Sequence, residues 1–389
     1  MTTTERCPAQ RLTLLSGELS EDPFETYAGY GNVPPFWTDR PDDVDGFWAV
    51  TRYADIRRVL QEPETFSSLE AFIPKVPMPS PMLPTESDPP ETRKYRSLLL
   101  AAMTPDKIDP LEPRMHEVCA EIIETFRDRG ECDVVADFAR EYPIRIFIEF
   151  FGLPPERRDE FREHAHTFLH IPAERGTEWT AIRAIVAEEL AEKREHQRDD
   201  LLTAITLGQI DGELIDLETA TNVAATIFLG GLDTLPSNIA WALGHLARNP
   251  DLRRRVVNDP SVIPQVVEEF LRYYPVANPV RRTTRDVELG GSQLRAGDRL
   301  FLVMGRGNRD PEEFEHADAI DIDRGVNRHI AFGAGAHRCL GSHLARHELG
   351  VALAEWHARI PEYRIAEGAE ITYQGGVLAM GTLPLVWDI

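Results

Sequence analysis

Apolar residues recur at helical spacing along most of the chain, with polar residues on the opposite face. This period predicts amphipathic helices. The clearest helical segments are Glu91 to Ala102, His116 to Arg127, Glu156 to His170 and Trp179 to Gln197. Short alternating segments, typical of strands, occur around Val287 and in the C-terminal stretch ITYQGGVLAMGTLPLVW. The pattern therefore predicts a mainly α protein with a small β component, of the α+β class.

The longest helical pattern, from about Leu217 to Arg248, is interrupted in its middle by ATIFLGGLDTLPSN. Each of the two adjacent glycines weakens a helix by about 1 kcal/mol relative to alanine, and Pro236 removes a backbone donor. Apolar residues on both sides indicate a buried helix. A carboxylate, Asp233, and a hydroxyl, Thr234, therefore lie at the weakened point. Since buried polar groups need partners, we expect a functional reason for this break.

One segment, FIPKVPMPSPMLPTESDPPE at residues 72–91, is too rich in proline for a helix or a strand. It predicts a long irregular loop. Elsewhere no internal repeat, low-complexity tract or Gly/Ser-rich linker marks a boundary. The sequence therefore predicts a single domain over residues 1–389.

Composition narrows the classes of function. The chain has 42 Lys and Arg against 65 Asp and Glu, a net charge of -23 that disfavours a nucleic-acid partner. Neither a signal peptide nor a membrane-spanning apolar run is evident, so we expect a soluble cytoplasmic protein with no membrane partner. Four scattered cysteines, Cys7, Cys119, Cys132 and Cys339, are too few for a disulfide framework. They are therefore expected to be thiols, available as ligands.

The stretch FGAGAHRCLG places Cys339 in a glycine-rich loop just before a helical pattern. Gly333 and Gly335 permit a tight turn whose N–H groups can point at the sulfur, and a helix N-terminus favours a thiolate. Such a thiolate can ligate haem iron. A zinc site that adds His343 and His347, four residues apart on the helix, is the alternative. Zinc explains neither the glycines nor the broken helix.

The loop resembles the haem-binding signature of the cytochrome P450 superfamily. The matching residues are Phe332, Gly333, Gly335, His337, Cys339 and Gly341. Other motifs of the family match in chain order. They are Arg96 in DPPETRKYR, the GGLDT of the central helix, Glu269 and Arg272 in EEFLR, and Arg281 in NPVRRTTRD. The resemblance covers nearly the whole chain and implies the cytochrome P450 fold, with haem b between the central helix and the cysteine-loop helix.

The resemblance also implies roles for single residues. Cys339 would ligate the iron, with Phe332, Gly333 and Gly341 close to the macrocycle. Propionates would be bound by Arg96, Arg281 and His337, and protons for oxygen activation would pass through Asp233 and Thr234. Gly230 and Gly231 would leave a groove for dioxygen. Glu269 and Arg272 would form a structural pair that holds the segment around Asn308, Arg309 and Asp310.

Within the family the chain is most similar to the bacterial camphor-hydroxylating monooxygenase and its relatives. This implies a monomer that receives electrons from a two-iron ferredoxin and an NADH-dependent reductase. A local basic patch of Arg93, Lys94, Arg96 and Arg338 would suit an acidic ferredoxin. A haem-thiolate gas or redox sensor without turnover is the competing hypothesis.

Departures from that subfamily concern the substrate pocket. No tyrosine occurs between Phe72 and Tyr95, where one would donate a hydrogen bond to camphor, and the aligned position falls near Ser80. We also expect Gly376 to open space in the C-terminal turn. The pocket is predicted to consist of Phe72, Met82, Thr85, Thr226, Leu229, Gly230, Val276 and Val377. Their apolar character indicates a small hydrophobic, terpenoid-like substrate.

Overall fold

The computed structural model describes residues 18–40, 43–73 and 76–389. Cys7 and the rest of the N-terminal segment lie outside these ranges, as do Pro74 and Lys75 of the proline-rich loop. The helices are α1 (Pro23–Ala28), α2 (Tyr53–Gln61), α3 (Glu91–Leu100), α4 (Pro105–Ile108), α5 (Glu112–Glu124), α6 (Tyr142–Phe151), α7 (Arg158–His170), α8 (Arg175–Glu195), α9 (Leu201–Thr206), α10 (Leu217–Leu232), α11 (Thr234–Arg248), α12 (Pro250–Asn258), α13 (Ile263–Tyr273), α14 (Met304–Gly307) and α15 (Ser342–Arg359).

The strands are short, with two to eight residues each. They are β1 (Glu18–Leu19), β2 (Phe36–Arg40), β3 (Asp43–Val50), β4 (Phe66–Ser67), β5 (Glu131–Asp133), β6 (Gln209–Ile210), β7 (Glu213–Leu214), β8 (Val280–Thr283), β9 (Val287–Leu289), β10 (Ser292–Leu294), β11 (Arg299–Leu302), β12 (Arg364–Ile365), β13 (Tyr373–Gln374), β14 (Ala379–Met380) and β15 (Pro384–Val386). The predicted mainly α fold with a small β component is confirmed.

The largest sheet has the strand order β2-β3-β11-β8-β4. Its β3 and β11 pair in parallel, with Leu300 opposite Trp48, and the other neighbours are antiparallel. The C-terminal strand, turn and strand appear as β13 and β14, and β15 pairs separately with β5 and β12. The sheet β2-β3-β11-β8-β4 carries Arg281, on β8, into the interior.

Most predicted helices form, with shifted ends. The segment predicted from His116 begins earlier, at Glu112, because Pro113 fits the first turn of a helix, where its missing N–H costs nothing. The helix predicted from Trp179 likewise begins at Arg175. Residues 76–90 contain no helix or strand, as the prolines predict.

The central helical pattern forms two helices, α10 and α11, that meet at Asp233. Asp233 has φ -125° and ψ -22°, outside the helical range. The cause lies in Pro236, which lacks an N–H and whose ring would clash with the carbonyl four residues earlier. Helices α6, α7, α8 and α9 surround α10, and α5, α11 and α13 pack on α15.

Two hydrophobic clusters meet at this break. Leu229 of α10 belongs to one cluster and Leu235 of α11 to the other. Leu340 of the cysteine loop packs against the first, and Phe332 packs against the second. The central helix and the cysteine loop therefore face the same part of the interior. In the part of the chain that the structure describes, no helix has the length and apolar character needed to cross a membrane.

Candidate active site at the central helix and the cysteine loop

The helix break is held by side chains that bond to its loosened carbonyl groups. The Thr234 hydroxyl donates to the Gly230 carbonyl at 3.2 Å, and the Ser237 hydroxyl donates to the Asp233 carbonyl at 2.9 Å. Asn238 Nδ2 donates to the Thr234 carbonyl at 2.9 Å. These bonds add side-chain donors to carbonyl groups on both sides of the break, so the break is a defined conformation.

The two glycines of the break have different surroundings. A Cβ at Gly230 would meet nothing within 4 Å, and Gly230 is exposed although the preceding residues Phe228 and Leu229 are buried. A Cβ at Gly231 would overlap the Phe147 ring. The expectation that both glycines leave a groove is therefore wrong for Gly231, which permits close packing of α6 on α10. Gly230 alone faces open space.

Asp233 forms a buried pair with a residue that the sequence did not single out. Its side-chain Oδ2 lies 2.7 Å from Nε2 of His170, at the end of α7. The other ring nitrogen, Nδ1, lies 2.8 Å from the Gly375 carbonyl, which can only accept. Nδ1 must therefore carry a hydrogen, and one further proton lies between Nε2 and the carboxylate.

The charge of Asp233 is stabilised by its neighbours. Burial by itself raises the pKa of the Asp233 carboxyl, but the His170 hydrogen bond and charge, with His166 and Arg140, lower it below its ordinary value. His166 stacks on His170, with ring centroids 4.5 Å apart. A cavity of about 50 Å³ beside these residues is lined by Arg140, Arg162, Glu163, Ala165, His166, Leu232 and Asp233. Asp233 thus has a polar route toward α7.

The cysteine loop turns sharply ahead of α15. Gly333 and Gly335 have φ of 68° and 67°, in the left-handed region that favours glycine, and a Cβ on Gly335 would also overlap the Leu60 carbonyl. The Cys339 N–H donates to the Phe332 carbonyl at 2.8 Å. The Gly333 N–H donates to the Ile330 carbonyl instead of the sulfur, which corrects the expected role of that group.

The sulfur of Cys339 is accessible, in contrast to the two other cysteines in the described ranges, Cys119 and Cys132, which are buried. Burial in the surrounding protein raises the pKa of the Cys339 thiol, while the Gly341 backbone N–H and Arg96 act to lower it. A thiol that is open on one side and deeply set on the others is suited to a large planar ligand. A Cβ on Gly341 would lie 4.0 Å from the sulfur, so the glycine leaves the space beside the sulfur open.

Two buried or half-buried arginines lie beside the loop. Arg96, on α3, donates from Nη2 to the Arg338 carbonyl at 2.6 Å. Arg281 donates from Nη1 to the Val280 carbonyl at 2.7 Å and is 7% exposed. Burial lowers the pKa of Arg281 to about 10, and Asp88 counters this only in part. A buried guanidinium with so few bonds favours an additional anionic partner.

His337 completes this basic cluster. Its Nε2 is buried and has no hydrogen-bond partner among the described residues. Burial, with the charges of Arg281 and Arg96, lowers the pKa of His337 to about 4. Two cations and an unpartnered imidazole nitrogen therefore converge next to an accessible thiol. The two guanidinium groups and the imidazole fit the propionate carboxylates of haem b, and the thiol fits its iron.

Glu269 and Arg272 form the expected pair, and both are almost completely buried, at 1% and 0% exposed. Arg272 binds the carboxylate with two parallel bonds of 2.8 and 2.7 Å. It also donates to the carbonyl groups of Asn308, Ala317 and Ala319. The pair thus joins α13 to the segment that precedes the cysteine loop, as predicted from the resemblance.

Three of the predicted pocket residues belong to one hydrophobic cluster or pack against it. Met82 and Leu229 share one hydrophobic cluster, and Phe72 packs against it. The Phe72 ring lies 5.7 Å from the Phe168 ring and 4.3 Å beneath the Arg175 guanidinium. The proline-rich loop is therefore anchored to α7 and α8 by an aromatic contact and a cation–π contact.

The other predicted pocket residues divide between scaffold and surface. Val276 and Val377 belong to the second hydrophobic cluster, where the Leu378 N–H donates to the Val276 carbonyl at 2.8 Å. The Thr226 hydroxyl donates to the Asn222 carbonyl at 2.9 Å within α10, and Thr85 is exposed. Thr226 therefore contributes mostly its methyl group to its surroundings.

Two further positions differ from expectation. Gly376 does not open space, because its φ is 92° and a Cβ there would overlap the Leu169 carbonyl. Ser80 binds the scaffold: its hydroxyl donates to Asn222 Oδ1 at 2.9 Å and lies 2.9 Å from Trp179 Nε1, which donates to it. A cavity of about 460 Å³ at this loop is lined by residues 69–72, 76–81 and Glu86.

Sequence reasoning missed His170 and the sulfur-directed N–H of Gly341. A single histidine 63 residues before Asp233 gives no local signal. The zinc alternative combined Cys339 with His343 and His347. Among the described residues, these two histidines group with Asp109 and not with Cys339.

Comparison with known proteins identifies the family. The cytochrome P450 family model matches residues 180–356, which include the helix break and the cysteine loop. Probable cytochrome P450 127A1 of Sinorhizobium fredii is 35% identical over 351 residues, 89% of this chain and 84% of that protein. Mycinamicin IV hydroxylase/epoxidase of Micromonospora griseorubida is 32% identical over 382 residues, 93% of this chain and 96% of that protein.

The fold agrees with these sequence matches. The crystal structure of CYP101J2 covers 100% of both chains with a TM-score of 0.90 at 28% identity. Relatives that are this similar over most of their length share the family's cofactor and reaction class. The chain therefore belongs to the cytochrome P450 family, and it is a monooxygenase whose cofactor is haem b bound through a cysteine thiolate.

Proposed function

We propose that this monooxygenase hydroxylates a small hydrophobic, terpenoid-like substrate with O2, using electrons from a two-iron ferredoxin and an NADH-dependent reductase. Cys339 is the proposed iron ligand. The observation that carries this assignment is the accessible Cys339 sulfur, close to the Gly341 N–H and beside an unsatisfied basic cluster. When bound, haem supplies the activation of dioxygen.

The chain's own residues are proposed to position the cofactor. Arg96 and Arg281 would hold the propionate carboxylates through charge-assisted hydrogen bonds, and the neutral His337 ring would add a hydrogen bond from Nε2. Phe332 packs at the start of the loop, where the Arg346 guanidinium lies 4.6 Å from its ring centroid. Gly230, at the helix break, leaves open space beside α10.

Asp233 and Thr234 are proposed to deliver protons. The proton between His170 Nε2 and Asp233 Oδ2 can be held by either atom, since they are 2.7 Å apart. Asp233 can take it and pass it, through water, toward the neighbouring Thr234. The adjacent cavity provides a route by which the proton is replaced from the side of His166.

The substrate class is inferred from the predicted pocket residues of one hydrophobic cluster. Leu229, Met82 and Phe72 present hydrocarbon, and the hydroxyls of Ser80 and Thr226 are already bonded to the scaffold. A compact apolar molecule suits such surroundings better than one that requires a fixed hydrogen bond. Mycinamicin IV hydroxylase/epoxidase is a relative whose name specifies a different substrate, so the family match by itself does not choose the substrate.

The ferredoxin proposal rests on the face near the cysteine loop. Arg93 and Arg338 are exposed there. Lys94 of the expected patch is paired with Asp211 at 2.6 Å, and Arg96 is directed to the Arg338 carbonyl. The local positive face therefore depends mainly on Arg93 and Arg338, which are available for an acidic partner.

One spectrum tests the ligand assignment. The reduced, CO-treated protein should show the red-shifted Soret band of thiolate-ligated haem, and Cys339→Ser should lose it. Cys132→Ser is the matched control and should keep the band. A Cys339→Ser variant with an unchanged band would contradict the assignment.

Turnover separates this enzyme from a sensor. With a ferredoxin and its reductase, NADH consumption should rise when a terpenoid shifts the iron from low to high spin. Thr234→Ala should release more peroxide per NADH, because the hydroxyl no longer helps proton delivery. Unchanged coupling in that variant would remove Thr234 from the proposed route, and a full absence of turnover with every substrate would favour the sensor.

A further inference from the structure

Two histidines after the cysteine loop share a carboxylate with an earlier part of the chain. His343 and His347 lie one turn apart on the first turns of α15, so both side chains project from one face. They meet Asp109, from the 3-10 turn Asp109–Leu111. Its Oδ1 lies 2.7 Å from Nε2 of His343 and 3.6 Å from Nε2 of His347.

A second carboxylate orients one of these rings. Nδ1 of His347 lies 3.3 Å from Oε2 of Glu112, at the start of α5. A neutral imidazole has a single N–H, so the tautomer that carries it on Nδ1, beside Glu112, presents the Nε2 lone pair to Asp109. Two electron-rich atoms in that arrangement attract a cation between them. Histidines that ligate metals usually donate their other nitrogen to a carboxylate in this way.

We propose that Asp109, His343 and His347 form a binding site for a divalent transition-metal ion such as Zn²⁺, with Glu112 orienting His347. Imidazole nitrogen and carboxylate oxygen are ligands that Zn²⁺ accepts. The ligand atoms all lie within 4.8 Å of one another. Tetrahedral ligands with bonds of about 2.1 Å are roughly 3.4 Å apart, so small side-chain rotations close the site.

Exposure to solvent favours this site. The side chains of Asp109, His343 and His347 are 53%, 35% and 25% exposed. An ion can therefore enter from solvent, and the rings can turn without disturbing the core. Because α15 and the segment before α5 each supply ligands, a bound ion would join two separate elements of the fold.

A second cluster of the same composition is a poor candidate. His166, His170 and Asp233 also bring their ligand atoms together. However, Arg140 and Arg162 line the same cavity and repel a cation. Both nitrogens of His170 are also engaged, one with Asp233 and one with a carbonyl. This buried cluster therefore serves as an internal control.

Calorimetric titration of Zn²⁺ into the chelator-treated, haem-containing full chain tests the proposal. We expect one Zn²⁺ per chain at neutral pH, with affinity at least about tenfold weaker in His343→Gln, His347→Gln and Asp109→Asn. His166→Gln should bind as the wild type does. Mg²⁺, which prefers oxygen ligands, should not compete. Zn²⁺ binding should weaken as the pH is lowered, because protons compete for the same nitrogens.

Two outcomes would overturn the site. One is no Zn²⁺ binding by the wild type, and the other is unchanged binding by all three ligand variants. Loss of binding in His166→Gln alone would place the ion at the buried cluster and would equally contradict the proposal. Asp109 lies outside both the cysteine loop and α15. Asp109→Asn therefore still tests the site if the two histidine variants lose haem. The site does not depend on the proposed substrate or electron donor.

Discussion

Replacing Arg272 by leucine should destabilise the protein far more than removing a surface arginine. Arg272 is fully buried and binds Glu269 through two hydrogen bonds. It also donates to the carbonyl groups of Asn308, Ala317 and Ala319. The substitution would therefore leave a buried carboxylate short of one cation, and three carbonyl groups without that donor.

The magnitude follows from the surroundings of Glu269. Removing one partner of a buried ion pair costs about 3–5 kcal/mol, because the remaining charge is uncompensated. Arg324 Nε at 3.2 Å and the Asp321 N–H at 2.8 Å still bind Glu269, which places the expected loss near the lower end, about 3 kcal/mol. That is a large share of a typical net stability of about 5–15 kcal/mol.

Arg114 provides the matched control. Its Nη2 lies 3.0 Å from Glu149 Oε1, but the Arg114 side chain is 40% exposed. Such exposed pairs contribute about 0–1 kcal/mol. Urea denaturation followed by tryptophan fluorescence should therefore separate Arg272→Leu from Arg114→Leu by about 2 kcal/mol or more. Equal losses in the two variants would refute the reasoning that burial makes the Glu269 pair essential.

Three further predictions concern the active site. Gly231→Ala should destabilise the protein by about 1–3 kcal/mol in thermal unfolding, because the added Cβ would overlap the Phe147 ring. The double variant with Phe147→Leu should recover most of that loss. No recovery would mean that the clash is not the cause. Arg281→Gln should release haem to apomyoglobin faster than the wild type without losing the thiolate spectrum, and an unchanged release rate would exclude Arg281 from propionate binding. Burial raises the pKa of the Asp233 carboxyl, but the His170 hydrogen bond lowers it below its ordinary value. The ionised carboxylate therefore stabilises the fold above the unfolded pKa of about 3.9, and this contribution is lost as the pH falls through the lower folded pKa. The stability difference between wild type and Asp233→Asn, measured by urea denaturation, should thus shrink below about pH 4, and a difference that grows with acidity would contradict the assignment.

The sequence predicted the parts of the site whose residues are close together in the chain. The glycines and the thiol of the cysteine loop, the break at GGLDT and the Glu269–Arg272 pair all depend on neighbours within a few positions. Backbone conformation and helical spacing follow from such local patterns. These elements were therefore recognisable before any packing was known, and so was the mainly α fold.

The local predictions failed where a distant residue decided the outcome. Gly231 was expected to face a groove, but Phe147 of another helix covers it. Gly376 was expected to open space, but the Leu169 carbonyl approaches it closely. In each case the glycine is required by a close approach of a second element. The sequence shows the glycine, but it does not show which second element packs against that glycine.

By itself the sequence determined the thiol, the weakened helix and the order of the motifs along the chain. Only the tertiary structure decided that His170 holds Asp233, that Phe147 covers Gly231, and that Asp109 meets His343 and His347. The physical reason is that hydrogen bonds and charge interactions act over a few ångströms in space. Residues far apart in the chain reach that distance only when the helices and strands that carry them are packed.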